Sequence, residues 1–445
     1  MASTSLNRTP SSNGSETKGT FSAWVKRSGI TSAGNLYTSY QASNEFFDIQ
    51  FNDTDQLQVV LLISGSHSLN LQTTAVYRDV SAWYHIVVVI DSTDSTQADR
   101  VKLYVNGVRE TTFTTNTNRV SSSLNMRINS TAQNVYVGSW HNANYFDGLM
   151  SHVHWVDGTA YQASTFGSTD SATGEWKINT SPSVTYGTNG FFWLKDDITT
   201  TDHSPNSNTF TASGTLTKTL DCPSNVFCTL NPLGYASASF TLIEGNLYSG
   251  GADNNWRSIY GTLGASSGKF YYEVKCISSS DYERFGWCTV DQMNLYQDSS
   301  GRYDDNNLDE GYGYTSDGEK SNNGGTTAYG ATWSAGHILS CAIDLDNQKI
   351  YWGKSGAWQN GGDPTSGSTG TGSAYNIEPN KIYVPAFASY GAASNLAFNF
   401  GNGYFRTTAI TTNSGNGYSG AEGKSKFEYQ PPTGYSALCT RGLNE

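Results

Sequence analysis

The apolar residues of this chain recur with a period close to two almost everywhere, and no long helical pattern interrupts them. Successive side chains of a strand point to opposite faces, so this period predicts half-buried strands. Thr20 to Lys26, Asn134 to Ser139, Leu149 to Val156 and Gly190 to Leu194 read as strands. Tyr84 to Ile90 is apolar at successive positions and reads as a central strand covered on both faces. Val101, Leu103 and Val105 alternate with Lys102 and Tyr104 and run into Asn106-Gly107. That dipeptide predicts a two-residue hairpin, because both turn positions need positive φ.

A second set follows: Lys269 to Cys276, Phe285 to Val290, His337 to Asp344, Lys349 to Trp352, Tyr383 to Ala388 and Leu396 to Phe400. Gly-rich turns such as Gly313 to Gly325 and Gly361 to Gly372 separate its members. Many short strands with frequent turn signals predict a sandwich or barrel, and two sets predict two sandwiches. Residues 196–235 are polar and broken by Pro205, Pro223 and Pro232, so they read as a linker and edge region. At 445 residues the chain has room for two or three domains of roughly 100–200 residues each.

Charge and cysteine usage exclude several classes of function. The net charge is -12 and no Lys/Arg cluster offsets it, so the basic stripe that a nucleic-acid partner needs is missing. The longest apolar run, Ile86 to Ile90, is far too short to span a bilayer, and the first residues have no apolar leader. The expectation is a product of the cytoplasm with no membrane insertion. All six cysteines lie from residue 222 onward, and in that compartment they are expected as free thiols. No Cys-x-x-Cys spacing marks a zinc site.

The two halves resemble two known families. In the first, Phe21-Ser22-Ala23-Trp24-Val25-Lys26-Arg27, Ala82-Trp83-Tyr84-His85-Ile86-Val87-Val88, Lys102-Leu103-Tyr104-Val105-Asn106-Gly107, Val137-Gly138 and Tyr145-Phe146-Asp147-Gly148 resemble the laminin-G-like, concanavalin A-like lectins. In the second, Ser267 to Val274, Gly311-Tyr312-Gly313-Tyr314, Ile338 to Asp346, Tyr351-Trp352-Gly353-Lys354, Val384-Pro385-Ala386-Phe387 and Asn399-Phe400-Gly401 resemble the SPRY family. The resemblance implies an all-β chain of two tandem concanavalin A-like, jelly-roll sandwiches. They would occupy residues 1–195 and 236–430, with 431–445 as a C-terminal tail. This pairing, with Phe227 to Leu233 between the domains and Pro432 to Thr440 after them, resembles virion surface proteins of marine, cyanophage-like tailed phages. That resemblance implies a virion protein, a tail-fibre or other surface appendage. The expectation built on it is a non-enzymatic protein that meets other virion proteins and touches host surface glycans, as a homo-oligomer because single weak sugar sites need several copies. A purely structural capsid decoration or tail component with protein contacts alone is the alternative reading.

The catalytic patterns of neighbouring folds are missing. Related glucanases set two carboxylates on one strand face in a Glu-x-Asp-x-Glu pattern, and no Glu here has Asp two residues on. Gly264-Ala265-Ser266-Ser267-Gly268 fits Gly-x-Ser-x-Gly, but a strand follows where a nucleophile elbow needs a helix. No catalytic residue is therefore expected, and no cofactor other than calcium. Hard oxygen ligands in loops suit calcium, which makes Asp91, Asp94 and Asp99, and Asp304 and Asp305, the candidate ligands, with plain solvated acidic loops as the preferred alternative. His152 and His154 stand two apart on a strand and are expected on a solvated face, where His141 could join them around a metal. For glycan binding the candidates are Trp140, His141, Asn142, Asn144 and Tyr145 in one loop, with Asn255, Trp256 and Tyr303 in the second half. A ring stacks on a sugar face while amides bond its hydroxyls. The loop is expected to project from a fixed strand base, with packing of the Trp140 and Trp256 rings as the competing role.

Overall fold

The structure, a computed structural model, describes residues 3–194, 201–233, 241–250, 256–279, 283–294, 311–390, 394–412, 415 and 417–444. It divides into two compact units, Met1–Lys218 and Thr219–Glu445.

The first unit is a sandwich of two antiparallel sheets. One has eight strands: β1 (Ser5–Arg8), β3 (Gly34–Ala42), β4 (Glu45–Phe51), β5 (Gln56–Ile63), β6 (Ser66–Val76), β10 (Phe113–Asn118), β11 (Asn134–Val137) and β16 (Thr211–Ser213), in the order β10-β6-β5-β4-β3-β11-β1-β16. The other has six: β2 (Lys18–Arg27), β7 (Trp83–Asp91), β8 (Val101–Val105), β9 (Val108–Arg109), β12 (Gly148–Asp157) and β15 (Phe191–Trp193), in the order β15-β12-β2-β7-β8-β9. A separate hairpin joins β13 (Gly167–Thr169) to β14 (Trp176–Ile178). Phe21, Val25, Tyr37, Phe47, Ile49, Val88 and Trp155 fill the space between the sheets.

Central β7 is covered on both sides, as its apolar run predicts. Ile86, Val88 and Ile90 face the main core. Val87 and Val89 meet Ala163 and Trp176 on the outer side. The hairpin after β8 turns on Asn106 (φ 48°) and Gly107 (φ 78°). Glycine suits the second position twice over, since a Cβ there would also run into the Trp176 ring.

The region read as a linker divides between the units. Phe210 is buried in the first core and β16 pairs with β1, so the first sandwich extends past residue 195. Phe227, Cys228 and Leu230 are buried in the second unit.

That second unit is another sandwich. The long sheet runs through Tyr248–Gly250, Asn395–Asn399, Lys269–Ser278, Ile338–Asp344 and Lys349–Lys354. The facing sheet runs through Trp256–Tyr260, Tyr383–Tyr390, Glu283–Thr289, Tyr312–Thr315, Glu319–Asn322 and Gly325–Ala328. Tyr272, Phe285, Trp287, Trp352 and Phe398 form the core between them.

Residues 431–445 are not a peripheral tail. Ser436–Ala437 adds a short parallel strand beside Phe270 and Tyr271, and Leu438 enters the main core. Tyr435, Ala437 and Cys439 pack with Phe427 on Phe227, Tyr271 and Tyr351. Pro431, Pro432 and Gly434 hide this in the sequence, because they break the alternation that marks a strand. The fully buried Glu273 pins the same segment. It accepts backbone N–H bonds from Glu428 (2.9 Å) and Tyr429 (2.8 Å), and bonds from the Tyr271 hydroxyl and Asn399 amide. No disulfide joins any two of the six cysteines.

Candidate functional site

The glycan-candidate loop between β11 and β12 folds back onto the outer face of the eight-stranded sheet. Trp140 and Ala143 exchange backbone hydrogen bonds of 2.8 Å in each direction, which closes a two-residue turn on His141 and Asn142. Both turn residues have positive φ, 42° and 64°, and Asn144 follows at 45°. Asn tolerates this region best, while a His held there costs about 1–2 kcal/mol relative to an unstrained residue.

The turn builds an aromatic corner with rings from β3, β4 and β11. His141 is exposed and lies flat on Tyr40, with centroids 4.1 Å apart and planes 6° apart. Half-buried Trp140 meets Tyr40 and Phe46 edge-on, at 5.6 Å and 5.8 Å. Tyr136 stands perpendicular to His141 at 5.7 Å. Trp140 is thus held partly by packing, and His141 presents the outermost ring. Asn142 and Asn144 are exposed beside it, whereas Tyr145 is half-buried and its backbone bridges Asn35. Tyr40, Phe46 and Tyr136 belong to the site but carry no loop signal in the sequence. Tyr40 and Phe46 come together only through the register of the β3–β4 hairpin, where they stand directly opposite.

Beneath the corner lies a buried carboxyl. Asp48 is 2% exposed and no cation pairs with it among the described residues. It accepts hydrogen bonds from the Asn35 amide and, at 2.9 Å, the Thr38 hydroxyl. Thr38 Oγ1 is also 3.1 Å from the carbonyl of Ser139, and Asn35 N–H donates to the carbonyl of Asn144. The Asp48 cluster therefore grips both ends of the aromatic turn. Burial pushes its carboxyl up to about 7, against the pull of the Thr38 and Asn35 bonds.

The calcium reading of the first acidic loop is overturned. Asp91 is paired with Lys18 (2.9 Å), Asp94 lies 3.8 Å from Lys102, and Asp99 is paired with Arg109 (2.6 Å). Three carboxylates neutralised by three separate cations do not form a cup for a divalent ion. The histidine reading is overturned too. His154 is 1% exposed, stacks on Phe192 at 4.0 Å and contacts the Tyr186 hydroxyl at 2.8 Å. A bulge between Ser151 and His154 puts His152 at φ 49° and breaks the simple alternation. No group of His, Cys, Asp and Glu among the described residues has the geometry to hold a metal. Asn255, Tyr303, Asp304 and Asp305 lie outside the described residues, as does the side chain of Trp256.

Two Ser arrangements fail as nucleophiles. Ser266 lies in a turn leading into Lys269–Ser278, with Ala265 bridged to Tyr383 and no helix following. Buried Ser22 lies 2.8 Å from His85 Nε2, but Trp176 N–H donates to His85 Nδ1 at 2.9 Å. The proton of this neutral ring therefore sits on Nε2 and is donated to Ser22, the reverse of what a general base needs. Burial pushes the His85 ring down to about 3, which keeps it neutral.

Comparison with known proteins agrees with this architecture. A family profile described as the concanavalin A-like lectin/glucanases superfamily matches residues 2–164, and the SPRY domain profile matches residues 269–403. The chain thus carries a laminin-G-type concanavalin A-like domain and a SPRY domain, families that are generally non-catalytic. It is 29% identical over 191 residues to an ATP-dependent RNA helicase, Ddx1, of Drosophila melanogaster, covering 42% of this chain and 20% of the helicase. It is 28% identical over 180 residues to the Xenopus laevis helicase DDX1, covering 40% and 21%. The chain spans about a fifth of the length of these curated relatives. Among solved structures it is similar to the SPRY domain of human HERC1, with a TM-score of 0.29 and 12% identity over 38% of this chain and 96% of that one. A human SPRY domain gives a TM-score of 0.26 and 15% identity over 36% and 94%.

Proposed function

We propose that this chain is a non-enzymatic virion surface protein of a tailed phage, a tail-fibre or decoration element that contacts neutral host glycans. The aromatic corner is the observation that carries this reading. His141 offers an exposed ring backed by Tyr40, and Asn142 and Asn144 offer amides beside it. Glu45, at the start of β4, is neutralised by Arg127. An uncharged sugar meets no repulsion there, while its faces and hydroxyls find matching partners.

The virion part of the proposal rests on two segments whose likeness to phage proteins lies in sequence. Phe227 to Leu233 and Pro432 to Thr440 run side by side within the second unit. Phe227 bridges Cys439, Cys228 N–H donates to the carbonyl of Leu438, and Thr440 N–H donates to that of Val226. Their joint occurrence is what one structural element would require. A single corner should bind a sugar only at about millimolar Kd, equivalent to about -4 kcal/mol. Homo-oligomeric display alongside other virion proteins would raise the avidity about 10²–10⁴-fold.

A printed glycan array probed with the full chain, clustered on beads to mimic such display, tests the reading. Retention is expected on a subset of neutral glycans and not on sulfated or sialylated ones. A blank array would favour a structural component with protein contacts alone.

A further inference from the structure

The outer face of the eight-stranded sheet carries a polar ladder beyond the corner. Phe46, Asp48 and Gln50 alternate on the same face of β4. From Gln50 the register passes to Gln58 on β5, Gln72 on β6 and Thr115 on β10, each directly opposite the last. Neighbouring strands lie about 4.8 Å apart. This row therefore offers one polar side chain per strand at a spacing close to the length of a single pyranose ring.

The ladder is tied together. Gln50 Nε2 donates to Gln58 Oε1 at 3.0 Å, and Gln58 Nε2 donates to Asn70 Oδ1 at 2.8 Å. Gln72 donates to Gln56, and Thr115 Oγ1 lies 3.5 Å from Gln72 Oε1. A primary amide has two N–H bonds, so Gln50 and Gln58 each spend one on a neighbour and keep one for a ligand. Gln50, Gln58, Asn70 and Gln72 are all half-buried. Side chains already fixed by one another lose little rotamer freedom on binding. The row holds no ionised group, and Asp48, the carboxyl beside it, is buried.

We infer that this face is an extended subsite for an uncharged polysaccharide. The polymer runs diagonally from the Tyr40–Trp140–His141 corner across β4, β5 and β6, and its hydroxyls bond the free amide groups. An anionic polymer is disfavoured by the net charge of -12 and by the lack of any cation in the row. The inference rests on the glycan reading of the corner and extends it to a chain of several sugars.

The test is calorimetric titration of the full chain with neutral glucan, mannan and galactan oligosaccharides, each as disaccharide and hexasaccharide, and with dextran sulfate. At least one neutral hexasaccharide should bind about tenfold or more tighter than its disaccharide, a gain of about 1.4 kcal/mol. A Gln58→Ala/Asn70→Ala variant with an unchanged melting temperature should lose that gain and keep the disaccharide affinity. If no hexasaccharide outbinds its disaccharide, or the double variant keeps the gain, the ladder is not a subsite and the corner stands alone. If neither length binds, the glycan reading of the corner falls with it. Tighter binding of dextran sulfate, or self-association in sedimentation that the double variant abolishes, would assign the face to a different partner.

Discussion

Residues 219–445 expressed alone should melt cooperatively, and the same fragment ended at Gln430 should not. The second sandwich closes its long sheet with its own C-terminal segment. Tyr435, Ala437, Leu438 and Cys439 are each fully buried. The Tyr435 hydroxyl bonds the Pro364 carbonyl at 2.9 Å, and the Ala437 N–H bonds buried Glu422 at 2.8 Å. A fully buried large apolar side chain contributes about 1.5–3 kcal/mol, and whole domains are stable by only about 5–15 kcal/mol. Deletion would also uncover Phe227 and Tyr271, which pack on this segment. Thermal melts followed by near-ultraviolet circular dichroism decide the matter. A cooperative transition of the shortened fragment within a few degrees of the longer one would show that the segment is dispensable.

The second large effect is expected from Asp48→Asn, and it depends on pH. The folded carboxyl is raised from 3.8 to about 7 by burial, so the native state holds its proton longer than the unfolded chain. Stability from this group is complete below about pH 4, falls as pH rises toward 7, and stays low above that. A shift of this size corresponds to about 4 kcal/mol as an order of magnitude. Geometry favours the neutral acid as well. Asn35 Oδ1 is a buried oxygen without a donor. A protonated Asp48 can supply one, or can donate to Thr38 and leave the Thr38 proton for the Ser139 carbonyl. Asp55 works in the opposite sense. Its burial is outweighed by bonds from Arg78 and Thr31 and by Arg27, which hold it below its ordinary value. Only the difference between variant and parent isolates Asp48. Asp48→Asn should raise stability at pH 8 by a few kcal/mol more than it does at pH 4.5, measured by urea unfolding. Equal effects at both values would mean that Asp48 is not buried as an unpaired acid.

What the sequence reveals here is local, and what it conceals is register and cover. Val101 to Val105 with Asn106-Gly107 is legible because alternation and turn chemistry are written in adjacent residues. The double-sided burial of Tyr84 to Ile90 is legible for the same reason. His154 looks solvent-facing because the segment that covers it, Phe166 to Phe192, is mostly irregular and leaves no period. Asp91, Asp94 and Asp99 look like a calcium cup because their partners Lys18, Lys102 and Arg109 sit on other strands or past a turn. Of the candidate site, the loop from Trp140 to Tyr145 is legible from its residue types. Its partners Tyr40, Phe46 and Tyr136 are not, because only strand pairing assembles them. Asp48 reads as an ordinary polar strand residue until the turn is seen folded over it.

The claim that the aromatic corner recognises neutral glycans is tested most directly at His141. Its ring is exposed and its φ of 42° suits glycine, so removing the side chain should not unfold the turn. Losing the stack on Tyr40 costs about 0.5–1.5 kcal/mol, and relief of the backbone offsets it. The measurement is the affinity of parent and His141→Gly for the neutral oligosaccharide that the parent binds best, with both melting temperatures recorded. A melting temperature within a few degrees of the parent, with binding weaker by about tenfold or more, is the predicted result. A folded His141→Gly variant that binds the sugar as tightly as the parent would contradict it.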